Sequence, residues 1–147
     1  MKSQIQYARS LLTKTDWLPP LLVRLSVGVV FAQSGWGKLH DLQRVIDYFT
    51  SLGIPYANLQ APFVAGLEFT GGLLLIFGLA SRLISLPLIG VMTVAIATAK
   101  AAEITDITDV LGFSEYLYIL LLIWILISGP GVVSLDQIIS RKISQFS

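Results

Sequence analysis

The chain has no cysteine and a single histidine, His40, among 147 residues. Without cysteine there is no disulfide, no thiolate metal site, no iron–sulfur ligation and no CxxC thiol relay. One histidine excludes paired-imidazole haem ligation within the chain and HExxH-type zinc chemistry. Charge is scarce as well: 13 % of residues are Asp, Glu, Lys or Arg, with a net charge of +1, and no nucleic-acid partner is expected. The acids between Glu103 and Asp109 lack calcium-loop spacing and read as a solvated connection. Neither a metal nor a covalent cofactor is expected.

What the chain has is apolar residues, 54 % of the total, with a mean hydropathy of +0.76. That places it outside ordinary soluble proteins and in the class of polytopic membrane proteins. A bilayer core of about 30 Å needs some twenty apolar residues rising about 1.5 Å each. Four runs meet or approach this, over about 17–39, 61–82, 86–102 and 110–128. Arg24 and Gln33 interrupt the first run and argue against a cleaved signal peptide. A brief hinge over 81–85 separates the second run from the third, and Gly129-Pro130-Gly131 stops the fourth.

Three further stretches are too short or too polar to span but carry apolar stripes at helical spacing, about 3–14, 41–53 and 134–146. In the second, Asp41 is the N-cap and Gly53 the stop before Pro55. The expected fold is therefore an all-α, single-domain membrane protein over 1–147. It is a four-transmembrane-helix bundle with amphipathic interfacial helices at both termini and between helices 1 and 2. With four spans, one side holds Lys2, Arg9, Lys14, Arg82, Arg141 and Lys142, while the other is acidic overall. The positive-inside rule then puts both termini of this multi-pass membrane protein in the cytoplasm.

Charges inside the spans are the candidate functional groups, because an unpaired one costs several kcal/mol there. Glu68 lies about two turns below the outer surface and must face protein. Gly66, Gly71 and Gly72 beside it leave a strip on which another helix can approach closely. Depth alone sets Gln33, Ser34, Trp36, Lys38, Lys100 and Tyr116 near Glu68, so either Lys38 or Lys100 can be its counter-charge. Such a group can bind the polar head of a lipid-soluble molecule such as a quinone, with Glu68, Lys38, Gln33 and Trp36 as ligand-binding residues, or it can simply fix helix packing. Arg24, Arg82 and Asp136 are read as structural charges. Arg24 either snorkels or pairs with Asp136 or with the terminal carbonyls of the fourth span, and Arg82 anchors the topology.

The order RLSVGVVFAQSGWGKL, YFTSLGIP, LEFTGGLLLIFGLASRL and GPGVVSLD, from Arg24 to Asp136, resembles the DoxX family of small four-helix bacterial inner-membrane proteins. By that resemblance Arg24, Gly35, Lys38, Pro55, Glu68, Gly71, Gly72, Arg82, the Gly129-Pro130-Gly131 turn and Asp136 fall on characteristic positions. Val132-Val133 departs from the basic or aromatic residue that often follows the turn. The family implies a redox-associated subunit: its namesake belongs to a membrane thiosulfate:quinone oxidoreductase. A redox centre would then come from a quinone, a diffusible donor or a redox protein partner. Two other classes stay open, a non-enzymatic scaffold or assembly factor and, less favoured without an inverted repeat, a small-molecule or lipid transporter. A homodimer through the glycine strip would relieve the objection to transport.

Overall fold

The computed structural model describes residues 15–144. The amphipathic segment expected over 3–14 lies outside the described residues, as does the far end of the one over 134–146. Among the described residues the secondary structure is helical, without strands. In order come α1 (Leu18–His40), α2 (Leu42–Ser51), α3 (Ala57–Phe77), α4 (Ser81–Thr98), a 3₁₀ turn (Ala101–Glu103), α5 (Ile107–Gly112), α6 (Ser114–Ser128) and α7 (Leu135–Ser144). Three of them, α1, α3 and α4, are long and apolar enough to cross a membrane.

Boundaries differ from the sequence expectation in three places. The expected second span over 61–82 is a helix that starts at Ala57 and stops at Phe77. Gly78 takes a left-handed conformation, φ 69°, and the N–H groups of Gly78 and Leu79 turn back onto the carbonyls of Leu75 and Leu74 at 3.1 and 2.9 Å. That cap closes α3. Arg82 therefore belongs to the next helix, and 81–85 is its first turn rather than a hinge. Asp136 fixes that start from a distance in sequence: its carboxylate accepts from Ala80 N at 2.9 Å and Ser81 N at 3.3 Å, satisfying backbone donors a helix start leaves open.

The third expected span, 86–102, correspondingly shifts to Ser81–Thr98, and Lys100 is the N-cap of the 3₁₀ turn, Ala101–Glu103, that follows. The fourth, 110–128, is divided at Phe113, whose backbone is extended (φ −74°, ψ 139°). Asp106 and Asp109 form a reciprocal capping box that opens α5 ahead of the apolar run. What remains of the run, α6, is 15 residues long.

The helices pack as two antiparallel pairs, α1 with α3 and α4 with α6. Small residues allow the first pair. A Cβ added at Gly35 would lie 2.7 Å from the Ala65 carbonyl oxygen, and one at Gly72 would lie 2.6 Å from that of Gly28. Gly71 faces α4 instead, while Gly66 meets nothing. The close-approach strip on α3 is thus Ala61, Ala65 and Gly72, set one turn or two apart, and α1 of the same chain occupies it. Val27, Phe31, Leu75, Leu88, Met92, Leu122 and Ile125 close the space between the two pairs over the half nearer Gly78. Toward the Lys38 end the pairs leave a cavity.

Candidate functional site

Packing of α3 on α1 directs Glu68 inward. It follows Ala61 and Ala65 on the same side of α3, is fully buried at 0 % exposure, and points at two α1 residues one turn apart, Ser34 and Lys38. Lys38 Nζ lies 2.6 Å from both Glu68 oxygens, and Ser34 Oγ donates to Oε2 at 2.9 Å. The Lys38 side chain remains 29 % exposed, so its stem reaches the buried carboxylate from the rim. Lys38 is thus the partner, and Lys100 is not: it pairs with Glu103 at 3.0 Å and sits 5.4 Å above the Phe113 ring. Hydrogen bonding to Glu103 holds the Lys100 ammonium above the usual lysine range, with burial acting against it.

The pair borders a cavity of about 790 Å³ bounded by α1, α2, α3, α4 and α6. Its wall is mostly apolar, with Phe31, Leu67, Val91 and Met92 among its members, and its polar members include Arg44, Gln60, Lys100, Glu103 and Glu115. Volume and chemistry suit a small-molecule site, which typically spans about 300–1,000 Å³ and combines apolar walls with a few placed polar groups.

Of the residues expected to bind ligand, the structure brings Glu68 and Lys38 together and leaves Gln33 and Trp36 off the cavity wall. Both lie on the exposed side of α1. Trp36, 54 % exposed, stacks on His40 and Phe69 at centroid distances of 4.1 and 5.4 Å. Depth reasoning fixes height on a helix but not azimuth, and these two have the right height on the wrong side. Tyr118 supplies aromatic surface to the cavity and meets Phe31 edge-on at 5.9 Å; Tyr116 does not line it. The spacing of Tyr118 with the core residues Leu122 and Ile125 is the signal that would have found it. The apolar face of α2, with Val45, Tyr48 and Phe49, also lines the cavity.

A second charged cluster closes the opposite end. Arg24 is buried and donates to the carbonyls of Pro130 at 2.6 Å and Val133 at 2.8 Å. Asp136 caps α4, as described above. Arg82 is exposed, with a long contact of 3.3 Å to the Ile127 carbonyl. These groups tie the α6–α7 turn to α1 and α4, so the described start of α1 and all of α7 lie at one end. Among the described residues no group of three or more His, Cys, Asp or Glu is placed to hold a metal.

Chemically, the Glu68 pair offers an ammonium with three N–H groups, whose protein acceptors are the two oxygens of one carboxylate. An N–H of Lys38 is left for an acceptor in the cavity.

Comparison with known proteins bears on the same stretch. The DoxX family model matches residues 20–101, from the third residue of α1 through the whole of α4. A Bacillus subtilis protein named "Putative oxidoreductase CatD" is 29 % identical over 132 residues, covering 88 % of this chain and 93 % of its own. The inner membrane protein YqjF of Escherichia coli is 31 % identical over 126 residues, covering 83 % and 92 %. A Mycobacterium tuberculosis membrane protein, Rv3486, is 33 % identical over 137 residues, covering 84 % of each. No solved structure matches the chain.

Proposed function

The chain belongs to the DoxX family of membrane proteins, and on that premise we propose that it is a redox-associated membrane subunit that binds a quinone in the cavity beside Glu68. One observation carries the reading: a buried carboxylate held by a half-reached lysine at the wall of an apolar space large enough for a small molecule. A quinone accepts two electrons and two protons from a donor, here a diffusible reductant or a protein partner. Lys38 binds, offering its spare N–H to a carbonyl oxygen in the cavity. Glu68 keeps Lys38 in place and exchanges a proton with the site through it. The apolar wall holds the ring and excludes water, which strengthens both interactions. The relative named as an oxidoreductase supports the same direction.

The membrane arrangement that goes with this reading has four crossings, α6 being the fourth. Its 15 residues rise about 22 Å, and α5 with the Phe113 bend carries the chain on toward the boundary. The basic residues Arg82, Arg141 and Lys142 lie toward the Gly78 end, which the positive-inside rule assigns to the cytoplasm with both termini. The whole is one membrane domain of an inner membrane, and a homodimer would have to use a surface other than the strip that α1 covers.

A second reading rests on a specific observation too. Glu68 already has both oxygens satisfied by Lys38 and Ser34, as a purely structural pair would, and the chain would then be a scaffold or assembly factor. Solvent extraction of protein purified from its native membrane separates the two. Quinone that accompanies the native protein and is depleted in Glu68→Gln supports the first reading. Absence from both, with added quinone unbound, leaves the scaffold.

A further inference from the structure

We infer that the cavity opens sideways into the bilayer between α3 and α4, and that its ligand is an amphiphile whose flexible apolar tail lies in that gap while its polar head meets Lys38 and Ser34. The inference builds on the cavity reading above, but its first part concerns the shape of the wall and holds for any head group.

In the half nearer their connecting turn, α3 and α4 touch. There Gly71 faces Ile84 and Leu88, 3.1 and 3.2 Å from where its Cβ would be. Farther along, the same two helices contribute Phe63, Val64 and Leu67 on one side and Gly90, Val91 and Val94 on the other to the cavity wall. The cavity therefore separates α3 from α4 instead of lying behind a closed seam. Phe63 and Val94 line it and are nevertheless 65 % and 50 % exposed. Lining and exposure coincide where a cavity opens; Arg44, Tyr48 and Glu103 mark a polar mouth at the Lys38 end in the same way, and Phe63 and Val94 mark an apolar one between α3 and α4.

Gly90 marks the opening most clearly. It lines the cavity, and a Cβ added to it would meet no atom within 4 Å. On the opposite flank Phe31 of α1 meets Tyr118 of α6 edge-on, with Val30 of the cavity wall beside it. Both helices beside the gap are long and apolar enough to cross a membrane, and the six residues on its rim and walls are apolar or glycine. What faces the gap is hydrocarbon, and what passes through it must be soluble there.

Size identifies the tail. About 790 Å³ holds a head group and the first part of a chain, within the usual range of about 300–1,000 Å³ for small-molecule pockets. A long prenyl or acyl chain does not fit whole, so it continues outward through the gap. Arg44, Lys100 and Glu103 belong to the polar mouth at the Lys38 end, so a water-soluble substrate gains nothing from the apolar gap.

The test needs no knowledge of the head group. The three tryptophans are changed (Trp17→Phe, Trp36→Phe, Trp124→Phe), and Tyr118→Trp places a fluorescent reporter on the inner wall. The protein is reconstituted in phosphatidylcholine vesicles whose acyl chains carry bromine, a contact quencher. Strong quenching by the brominated chains, weak quenching by aqueous iodide and loss of half or more of the lipid quenching on adding Gly90→Phe are expected. Gly66→Phe, also on open space but off the cavity wall, should leave the quenching unchanged. Unaltered quenching with Gly90→Phe, a block by Val30→Phe in its place, or iodide quenching exceeding that of lipid would overturn the proposal. Should Tyr118→Trp not fold, Leu67→Trp on the facing wall serves as the reporter with the same outcomes. Because no quinone is present, failure of quinone binding and failure of the lateral opening are separate results.

Discussion

Glu68 and Lys38 meet across the α1–α3 interface, with Lys38 Nζ 2.6 Å from each carboxylate oxygen and Glu68 wholly buried. Removing one partner of a buried pair leaves the other uncompensated, at a cost of about 3–5 kcal/mol. Lys38→Met should therefore destabilise the protein strongly, and Glu68→Gln less, because a neutral amide can still bond to Ser34 and Lys38 keeps access to solvent. Lys38→Met combined with Glu68→Leu should recover most of the loss. Thermal unfolding in one detergent gives the comparison; a double variant no more stable than Lys38→Met would mean that the two charges do not act as a pair.

Close approach of α1 and α3 depends on absent side chains. At Gly35 and Gly72 an added methyl would strike backbone atoms, which cannot rotate aside. Gly35→Ala or Gly72→Ala should then cost at least the upper end of the about 1–3 kcal/mol typical of overpacking. The same change at Gly66 should be close to neutral, and the contrast in melting temperature is the readout. Equal effects at all three positions would contradict the packing.

The loop at the Lys38 end carries a pH-sensitive cap. Asp109 Oδ2 accepts from Thr105 Oγ1 at 2.7 Å, Thr105 N at 2.8 Å and Asp106 N at 2.9 Å. These bonds, the Thr105 hydroxyl first, hold its carboxyl below the usual carboxylate range. A group whose folded pKa is depressed contributes stability that is present above its unfolded value and lost as pH falls through the folded one. The protection factors of the Thr105 and Asp106 amides, their exchange rates relative to the intrinsic rate at each pH, should be high at neutral pH and fall on acidification below the ordinary aspartate range. In Asp109→Asn they should be low throughout. Protection that persists in acid would refute the cap.

Much of this was legible in the sequence, and the misses share one origin. Hydropathy runs locate the three long helices, and family-characteristic positions such as Glu68, Lys38, Arg24 and Asp136 all make the contacts that hold the bundle. Depth along a helix also brings Lys38 to Glu68. It cannot give rotation about the axis, so Gln33 and Trp36 read as neighbours of Glu68 although they face outward, while Tyr118 reads as one more belt or packing aromatic although it lines the cavity. Hydrophobicity continues through Leu79 and Ala80 and so points to a later end for α3; only the left-handed Gly78 and the cap from Asp136 break the helix there. That cap joins residues far apart in the chain, and no local pattern reports it. The cavity is likewise a property of how two helix pairs sit together, not of any one stretch.

The most direct test of the quinone reading is a calorimetric titration of a short-tailed benzoquinone into the protein in lipid nanodiscs, native against Lys38→Met/Glu68→Leu, which removes both charges and retains the apolar wall. Saturable binding near one per chain is expected for the native protein. The variant should bind at least about tenfold more weakly, as loss of a charge-assisted hydrogen bond worth about 1.5–3 kcal/mol requires. Equal affinity in the two proteins, or no saturable binding to the native one, would contradict a quinone site built on Lys38 and Glu68.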